Sequence, residues 1–184
     1  MTVHVLALVG SLRRGSHNRQ LADATAAHAP DGVRIEIFDG LGALPFYNED
    51  IDADGAAPAE AARLREATAA ADAVLLFSPE YNGTMPAVLK NAIDWLSRPF
   101  GAGALGGKPT AVVGTAFGRY GGVWAQEEAR KAAGIAGARI VDTVSLAIPG
   151  SVTRFAELHP QNDTEVAEGL RKTLEALTTG AAAA

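Results

Sequence analysis

Hydrophobic positions along the chain fall into short runs that predict strands. The runs at 3–9 and 73–77 are almost continuously apolar, which is typical of strands buried on both faces of a parallel sheet. Residues 33–38 alternate apolar and polar side chains and predict a half-exposed edge strand. Two further strands are predicted at 110–115 and 140–146.

Between these runs, apolar residues recur at helical spacing. The clearest segment is 86–96, where a proline occupies the first turn and five apolar residues share one face: Val88, Leu89, Ala92, Ile93 and Leu96. Further helices are predicted at 18–28, 59–70, 123–133 and 163–177. Strands and helices that alternate in this way predict an α/β fold, in which a parallel sheet carries helices on both faces.

Length and composition favour one domain. The 184 residues are 48% hydrophobic, which is enough for one buried core, and no repeat or linker divides the chain. We therefore expect a single domain over residues 1–180, followed by a disordered tail at 181–184.

Composition also limits the chemistry. The chain has no cysteine, so any redox chemistry must come from a bound organic cofactor, and the four histidines lack the spacing of metal ligands, so no metal site is predicted. A net charge of -5 without a basic run argues against nucleic acid as a partner. The apolar stretch at 3–9 is too short for a signal peptide or a membrane span, so we expect a cytoplasmic protein without a membrane partner.

In parallel sheets of this kind, ligands bind beyond the carboxyl ends of the strands, which directs attention to three loops. The first, 10–18, offers hydroxyl, guanidinium and amide groups at the start of a helix: Ser11, Arg13, Arg14, Ser16 and Asn18. These donors and the helix N-terminus suit a phosphate monoester. The alternative is an ordinary helix start, with Ser16 as the N-cap and solvated arginines.

The second loop, 78–86, and the third loop, 115–122, offer other chemistry. In the second, Pro79 stiffens the backbone, and Tyr81 and Asn82 present an aromatic face and an amide that suit a planar heteroaromatic ligand. A rigid turn whose tyrosine packs on the core is the alternative. In the third, glycines would let a ligand approach backbone N–H groups, while Arg119 either faces a cofactor phosphate or is simply exposed.

Taken together, the three loops resemble those of the NADPH-dependent FMN reductase family, which includes chromate, quinone and azo-dye reductases. The matching stretches are GSLRRGSHN at 10–18, PEYNGTMPAVLKNAIDWLSRP at 79–99 and GRYGG at 118–122. The resemblance implies a flavodoxin-like α/β/α sandwich of three layers, with a five-stranded parallel sheet in the order 2-1-3-4-5.

The resemblance also implies where FMN binds. Its phosphate would be held by the first loop, through Ser11, Arg13, Ser16 and Asn18, with His17 among them. The flavin ring would lie against the second loop, formed by Pro79, Glu80, Tyr81, Asn82 and Gly83. Thr115 and Gly118 would lie under the polar edge of the ring, although Ala116 and Phe117 depart from the small polar residues usual in the family.

The implied reaction passes a hydride from NADPH or NADH through flavin N5 to a small-molecule acceptor, which is a flavin, a quinone or a similar compound. No protein acid or base is obligatory for this transfer, so no catalytic side chain is predicted. Glu80 and Tyr81 would line the acceptor pocket, and Arg14 and Arg119 are candidates for contact with NADPH.

Two further expectations concern the assembly of the chain and an alternative function. The resemblance implies a homodimer or homotetramer, with the helix that carries Asn91, Asp94 and Trp95 near the subunit interface. The alternative function is a flavodoxin-type electron carrier without NAD(P)H activity. Against it, the first loop contains arginines, whereas the phosphate loop of flavodoxins is rich in Thr and Ser.

Overall fold

The computed structural model describes residues 2–53 and 56–182 and shows a parallel sheet. Its strands within these ranges are β1 (Val3–Val9), β2 (Val33–Phe38), β3 (Ala73–Phe77), β4 (Pro109–Thr115), β5 (Arg139–Ile140) and β6 (Leu146–Ile148). The order is β2-β1-β3-β4-β5, and β6 also pairs with β4. Every pairing is parallel, so the predicted fold class and strand order are confirmed.

The predicted fifth strand at 140–146 is wrong in its continuity, because two short strands take its place. Ile140 pairs with Thr110, and Leu146 pairs with Val113. The two partners in β4 are three residues apart, whereas Ile140 and Leu146 are six residues apart. The surplus residues, which include the polar Asp142, leave the sheet between β5 and β6. Apolar content alone did not reveal this interruption.

Helices cover both faces of the sheet, as predicted. They are α1 (His17–Ala27), α2 (Ala59–Ala70), α3 (Ala87–Leu96), α4 (Val123–Ile135), α5 (Ser151–Arg154) and α6 (Thr164–Ala182). On one face α2, α3 and α4 pack on alternate residues of the central strands, such as Leu6 and Leu76. On the other face α1 and α6 pack on the intervening residues, such as Leu75. Strands β1, β3 and β4 are apolar throughout because both of their faces are covered.

The C-terminal helix differs from the prediction at its end. Leu170, Leu174 and Leu177 of α6 are fully buried, and the helix continues through Ala182. The expected disordered tail is therefore wrong at 181–182, while 183–184 lie outside the described residues. Among the described residues, no helix combines the length and the apolarity needed to cross a bilayer.

Backbone hydrogen bonds hold the ends of β1, β3 and β4 together where the three loops begin. Gly10 donates to the carbonyl of Phe77 at 2.8 Å, and Ser78 donates to that of Val113 at 2.9 Å. A Cβ atom on Gly114 would lie 2.1 Å from the carbonyl oxygen of Ser78, so only glycine fits there. The sheet thus brings the first, second and third loops to one edge.

Candidate active site

The first loop presents hydrogen-bond donors at the start of α1. Ser16 is the N-cap, and its buried hydroxyl accepts the N–H of Arg19 at 3.3 Å. The N–H groups of His17 and Asn18 carry no hydrogen bond within the part of the chain that the structure describes. Ser11 in the same loop is half-buried, and Arg13 is exposed. The loop is therefore an ordinary capped helix start, as one alternative predicted. It also presents a group of hydrogen-bond donors, which we call the donor cluster: Ser11, Arg13, Ser16 and the N–H groups of His17 and Asn18.

Asn18 has a role that the sequence did not predict. Its side chain is 4% exposed and bonds to the end of β4, where Nδ2 donates to the carbonyl of Thr115 at 2.9 Å and Oδ1 accepts the N–H of Thr115 at 3.1 Å. The hydroxyl of Thr115 donates to the carbonyl of Ile148 at 2.7 Å. The side chains of Asn18 and Thr115 thus connect the first loop, β4 and β6. Of the polar groups of Asn18 named here, the backbone N–H is the one left to bind a ligand.

His17 packs against a segment far along the chain. Its ring meets that of Phe155 edge-on, with the centroids 5.5 Å apart. Burial lowers the pKa of His17 below its usual value, and the positive charge of Arg13 lowers it further. The imidazole at this end of α1 is therefore held in its neutral form. No pattern in the sequence connected Phe155 with the first loop.

The second loop is a tight hairpin whose tip is in solvent. Tyr81 and Thr84 exchange two backbone hydrogen bonds, at 3.0 and 3.1 Å, around Asn82 and Gly83. Asn82 and Gly83 have φ of 53° and 76°, as a type I′ turn requires. Tyr81 is 51% exposed, so the alternative in which it packs on the core is wrong.

Glu80 connects the second loop with the third. Its carboxylate accepts the N–H of Ala125 at 3.2 Å, in the first turn of α4, where a negative charge is favourable. Gly121 and Gly122 precede this turn with φ of 64° and 85°. A Cβ atom on Gly121 would lie 2.5 Å from the carbonyl carbon of Ala147, so this backbone passes directly over β6.

Exposed aromatic side chains surround the packed glycines of the third loop. Phe117 is 76% exposed, Tyr120 46% and Trp124 48%. The rings of Tyr120 and Trp124 are 5.1 Å apart between centroids and tilted by 56°. Arg119 lies over the ring of Tyr120 at 4.6 Å and donates to its hydroxyl. We call Arg119, Tyr120 and Trp124 the aromatic platform. Sequence reasoning missed its two rings, although their spacing of four residues at a helix start was the available signal.

Comparison with known proteins decides the family. The family model for NADPH-dependent FMN reductase matches residues 3–153. The chain belongs to this family. It is 45% identical over 130 residues to a 2-hydroxy-1,4-benzoquinone reductase from Burkholderia sp, covering 71% of this chain and 69% of that protein. It is also 45% identical over 129 residues to an NAD(P)H-dependent FMN reductase from Pseudomonas aeruginosa, covering 70% and 68%.

A solved structure extends the similarity to nearly the whole chain. The flavoenzyme NAD(P)H:(acceptor) oxidoreductase FerB from Paracoccus denitrificans superposes with a TM-score of 0.84 at 30% identity and covers 98% of both chains. The fold is therefore flavodoxin-like. As a member of the FMN reductase family, the protein is an NAD(P)H-dependent oxidoreductase that uses FMN, and the flavodoxin-type carrier is not favoured.

The residues of this chain fit the cofactor of the FMN reductases. The free N–H groups of His17 and Asn18, the proton of the Ser16 hydroxyl, Ser11 and the cationic Arg13 are hydrogen-bond donors of the kind that a phosphate dianion requires. Within residues 2–53 and 56–182, no group of three or more histidine, aspartate or glutamate side chains could hold a metal ion.

A large groove lies beside the second loop. It has a volume of about 1140 Å³ and runs between α3 and α4, with Tyr81, Met85, Ile93, Asp94 and Ile135 among its lining residues. Asn91 and Trp95 do not face it. Asn91 binds the backbone of Pro45 and Tyr47, and Trp95 is fully buried and donates to Pro45 at 2.8 Å. Of these three residues of α3, only Asp94 lines the groove.

Proposed function

We propose that this protein is a quinone reductase that binds FMN at the three loops and takes its electrons from NADPH or NADH. The overall reaction is NAD(P)H + H⁺ + quinone → NAD(P)⁺ + hydroquinone, a transfer of two electrons. The observation that carries the proposal is the donor set of the first loop, which would bind a phosphate monoester. The names of the relatives, which include quinone reductases from Burkholderia sp and Pseudomonas putida, support a quinone as acceptor.

Each of the three loops has a separate task in this proposal. Ser11, Ser16, Arg13 and the first-turn N–H groups of α1 would hold the phosphate. Asn18 would keep the first loop at a fixed distance from β4 through its paired hydrogen bonds with Thr115. When bound, FMN supplies a two-electron relay between NAD(P)H and the acceptor.

The second and third loops would support the flavin ring. Pro79 is buried and Ser78 donates to its carbonyl at 2.9 Å, so the backbone before the hairpin is rigid. Gly118 is exposed, and a Cβ atom there would have no other atom within 4 Å, which leaves room for a flat ligand. Glu80 keeps the two loops together through α4, and the exposed Tyr81 is available to a nicotinamide or an acceptor.

The groove between α3 and α4 supports assembly into a homodimer or homotetramer. Phe100 is among its lining residues and is almost fully exposed, and Ile135 is also strongly exposed. Apolar side chains of this size on a surface are typical of a subunit contact. The proposal includes a homodimer or a homotetramer and a cytoplasmic location. Sedimentation of the FMN-loaded protein measures the number of subunits.

Anaerobic titration of the FMN-loaded protein with NADPH, followed by absorbance of the visible flavin band, tests the proposed function. We expect one equivalent of NADPH to bleach the band and added quinone to restore it. Tight FMN binding without bleaching by NADPH or NADH would favour an electron carrier. Failure to retain FMN would contradict the proposal altogether. A parallel titration with NADH determines which nicotinamide cofactor is preferred.

A further inference from the structure

We propose that the aromatic platform, formed by Arg119, Tyr120 and Trp124, binds anionic aromatic electron acceptors in preference to neutral ones. Quinones that carry a sulfonate or an ionised hydroxyl group belong to this class. The proposal rests on the proposed function, because it assigns the class of acceptor used at the same site.

The platform borders the second loop. Trp124 directly precedes Ala125, whose N–H binds Glu80 of that loop. One turn further along α4, the carboxylate of Glu128 accepts the hydroxyl of Thr84, which closes the hairpin opposite Tyr81. Residues four apart lie on the same face of a helix, so Trp124 lies on the side of α4 that faces the hairpin. An acceptor on the platform would therefore lie next to the proposed flavin position.

Two half-exposed rings make the platform suited to a flat ligand. Tyr120 and Trp124 contact each other at 5.1 Å with a tilt of 56°, and neither belongs to a buried core cluster. Their contact fixes the ring positions while leaving about half of each surface in solvent. Aromatic ligands pair with such rings in stacked or edge-on geometry.

The positive charge of Arg119 is the basis of the proposed preference of the platform for anionic ligands. Its guanidinium lies over Tyr120 and binds the tyrosine hydroxyl, which orients it. Among the described residues, no carboxylate forms an ion pair with it. The carboxylates of Glu80 and Glu128 accept hydrogen bonds from Ala125 and Thr84 and not from Arg119. An oriented guanidinium that has no ion-pair partner, beside aromatic rings, matches a sulfonate or phenolate on an aromatic ligand.

The test compares two acceptors that share a ring system. Initial rates at saturating NADPH give kcat/KM for 1,2-naphthoquinone-4-sulfonate and for 1,2-naphthoquinone. We expect Arg119→Gln to lower the value for the sulfonate about tenfold, as loss of a charge-assisted hydrogen bond does, and to leave the value for the neutral quinone within about twofold. Trp124→Ala lowers both values. Arg34→Gln, which removes an exposed arginine on β2, is the matched control and changes neither.

Binding without turnover provides an independent reading. Calorimetric titration of the oxidised, FMN-loaded protein with naphthalene-2-sulfonate should show affinity that Arg119→Gln lowers about tenfold. Equal losses for both quinones, or unchanged sulfonate binding in Arg119→Gln, would overturn the proposal. So would an effect of Arg119→Gln on the KM for NADPH alone, which would assign the arginine to the reductant, or a change of oligomeric state in Trp124→Ala, which would make the platform a subunit contact. If NADPH does not bleach the flavin while naphthalene-2-sulfonate still binds, the proposed function is wrong, but the platform still binds anionic aromatic ligands.

Discussion

The first and third loops of the site use their side chains in opposite ways. In the first loop, Ser16 and Asn18 are buried and bonded, one to the first turn of α1 and the other to the end of β4. In the third loop and the first turn of α4, Tyr120 and Trp124 extend into solvent, although Gly121 between them is packed on β6. The first loop uses its polar groups for internal order, whereas the third keeps its largest groups available.

This difference separates two requirements of a flavin reductase. A cofactor that stays bound through many turnovers needs donors at fixed positions, and fixed positions need buried, satisfied side chains. An acceptor that enters and leaves needs an accessible surface. The third loop combines both features, because its backbone is fixed by close packing at Gly121 while the side chains of Phe117 and Tyr120 are exposed.

The largest expected effect comes from breaking the packing under the third loop. Gly121→Ala would place a Cβ atom 2.5 Å from the carbonyl carbon of Ala147, at a φ of 64° that side chains rarely adopt. We expect a loss of about 3 kcal/mol in the free energy of unfolding, from strain and overpacking together, measured by denaturant titration of the cofactor-free protein. Gly118→Ala is the control, because nothing lies within 4 Å of its Cβ position, and it should change the value by less than about 0.5 kcal/mol. Similar losses in both variants would contradict the close approach over β6.

A somewhat smaller effect is expected from cutting the connection between the first loop and β4. Asn18→Ala leaves the N–H and carbonyl of Thr115 buried without their partners, so the free energy of unfolding should fall by about 2–3 kcal/mol. FMN affinity should fall as well, because the donor cluster loses its fixed position. Asn162→Ala removes an exposed asparagine side chain and should change neither measurement. Full stability in Asn18→Ala would show that the paired bonds do not hold the loops together.

Substitution of the exposed Arg13 tests the proposed phosphate site without removing a buried side chain. We expect Arg13→Ala to weaken FMN binding by about 1.5–3 kcal/mol, the usual value of a hydrogen bond to a charged group. Riboflavin lacks the phosphate, so its affinity should be the same in the variant and the parent protein. Fluorescence titration of both flavins measures the difference. Unchanged FMN affinity would remove Arg13 from the phosphate site, and an equal loss for riboflavin would place its contact elsewhere on the flavin.

The sequence predicted the fold well because the sheet is covered on both faces. Continuous apolar runs identified β1 and β3, and helical spacing identified α3 to within one residue. The sequence did not predict the break between β5 and β6. The residues between Ile140 and Leu146 are recognised as surplus only when their pairing with β4 is known. The extension of α6 to Ala182 was missed because residues 178–182, which begin with two threonines and a glycine, carry no periodic apolar signal.

The sequence located the loops of the candidate site but not the contacts of their individual side chains. The three loops do meet at one edge of the sheet, as parallel topology requires. The detailed roles of Asn18, Thr115 and Glu80 could not be read from the sequence, because each depends on a partner far along the chain. A polar residue in a binding motif is equally suited to a ligand and to a buried backbone group, and only the structure distinguishes these roles.

The smallest predicted effect concerns the segment that carries Phe155 against His17. Arg154 binds Asp163 through two hydrogen bonds, at 2.6 and 2.9 Å, and these hold the pKa of Asp163 below its usual value. A carboxyl group with a lowered folded pKa adds stability that is present above its unfolded pKa of about 3.9 and is lost as the pH falls through the folded value. Asp163→Asn should therefore cost about 1 kcal/mol of unfolding free energy at pH 7, and this difference should shrink as the pH falls below about 4. Glu165→Gln, which removes a mostly exposed partner of Arg154, should cost less than about 0.5 kcal/mol. A difference for Asp163→Asn that does not shrink as the pH falls below about 4 would show that the substitution acts through packing and not through the ion pair.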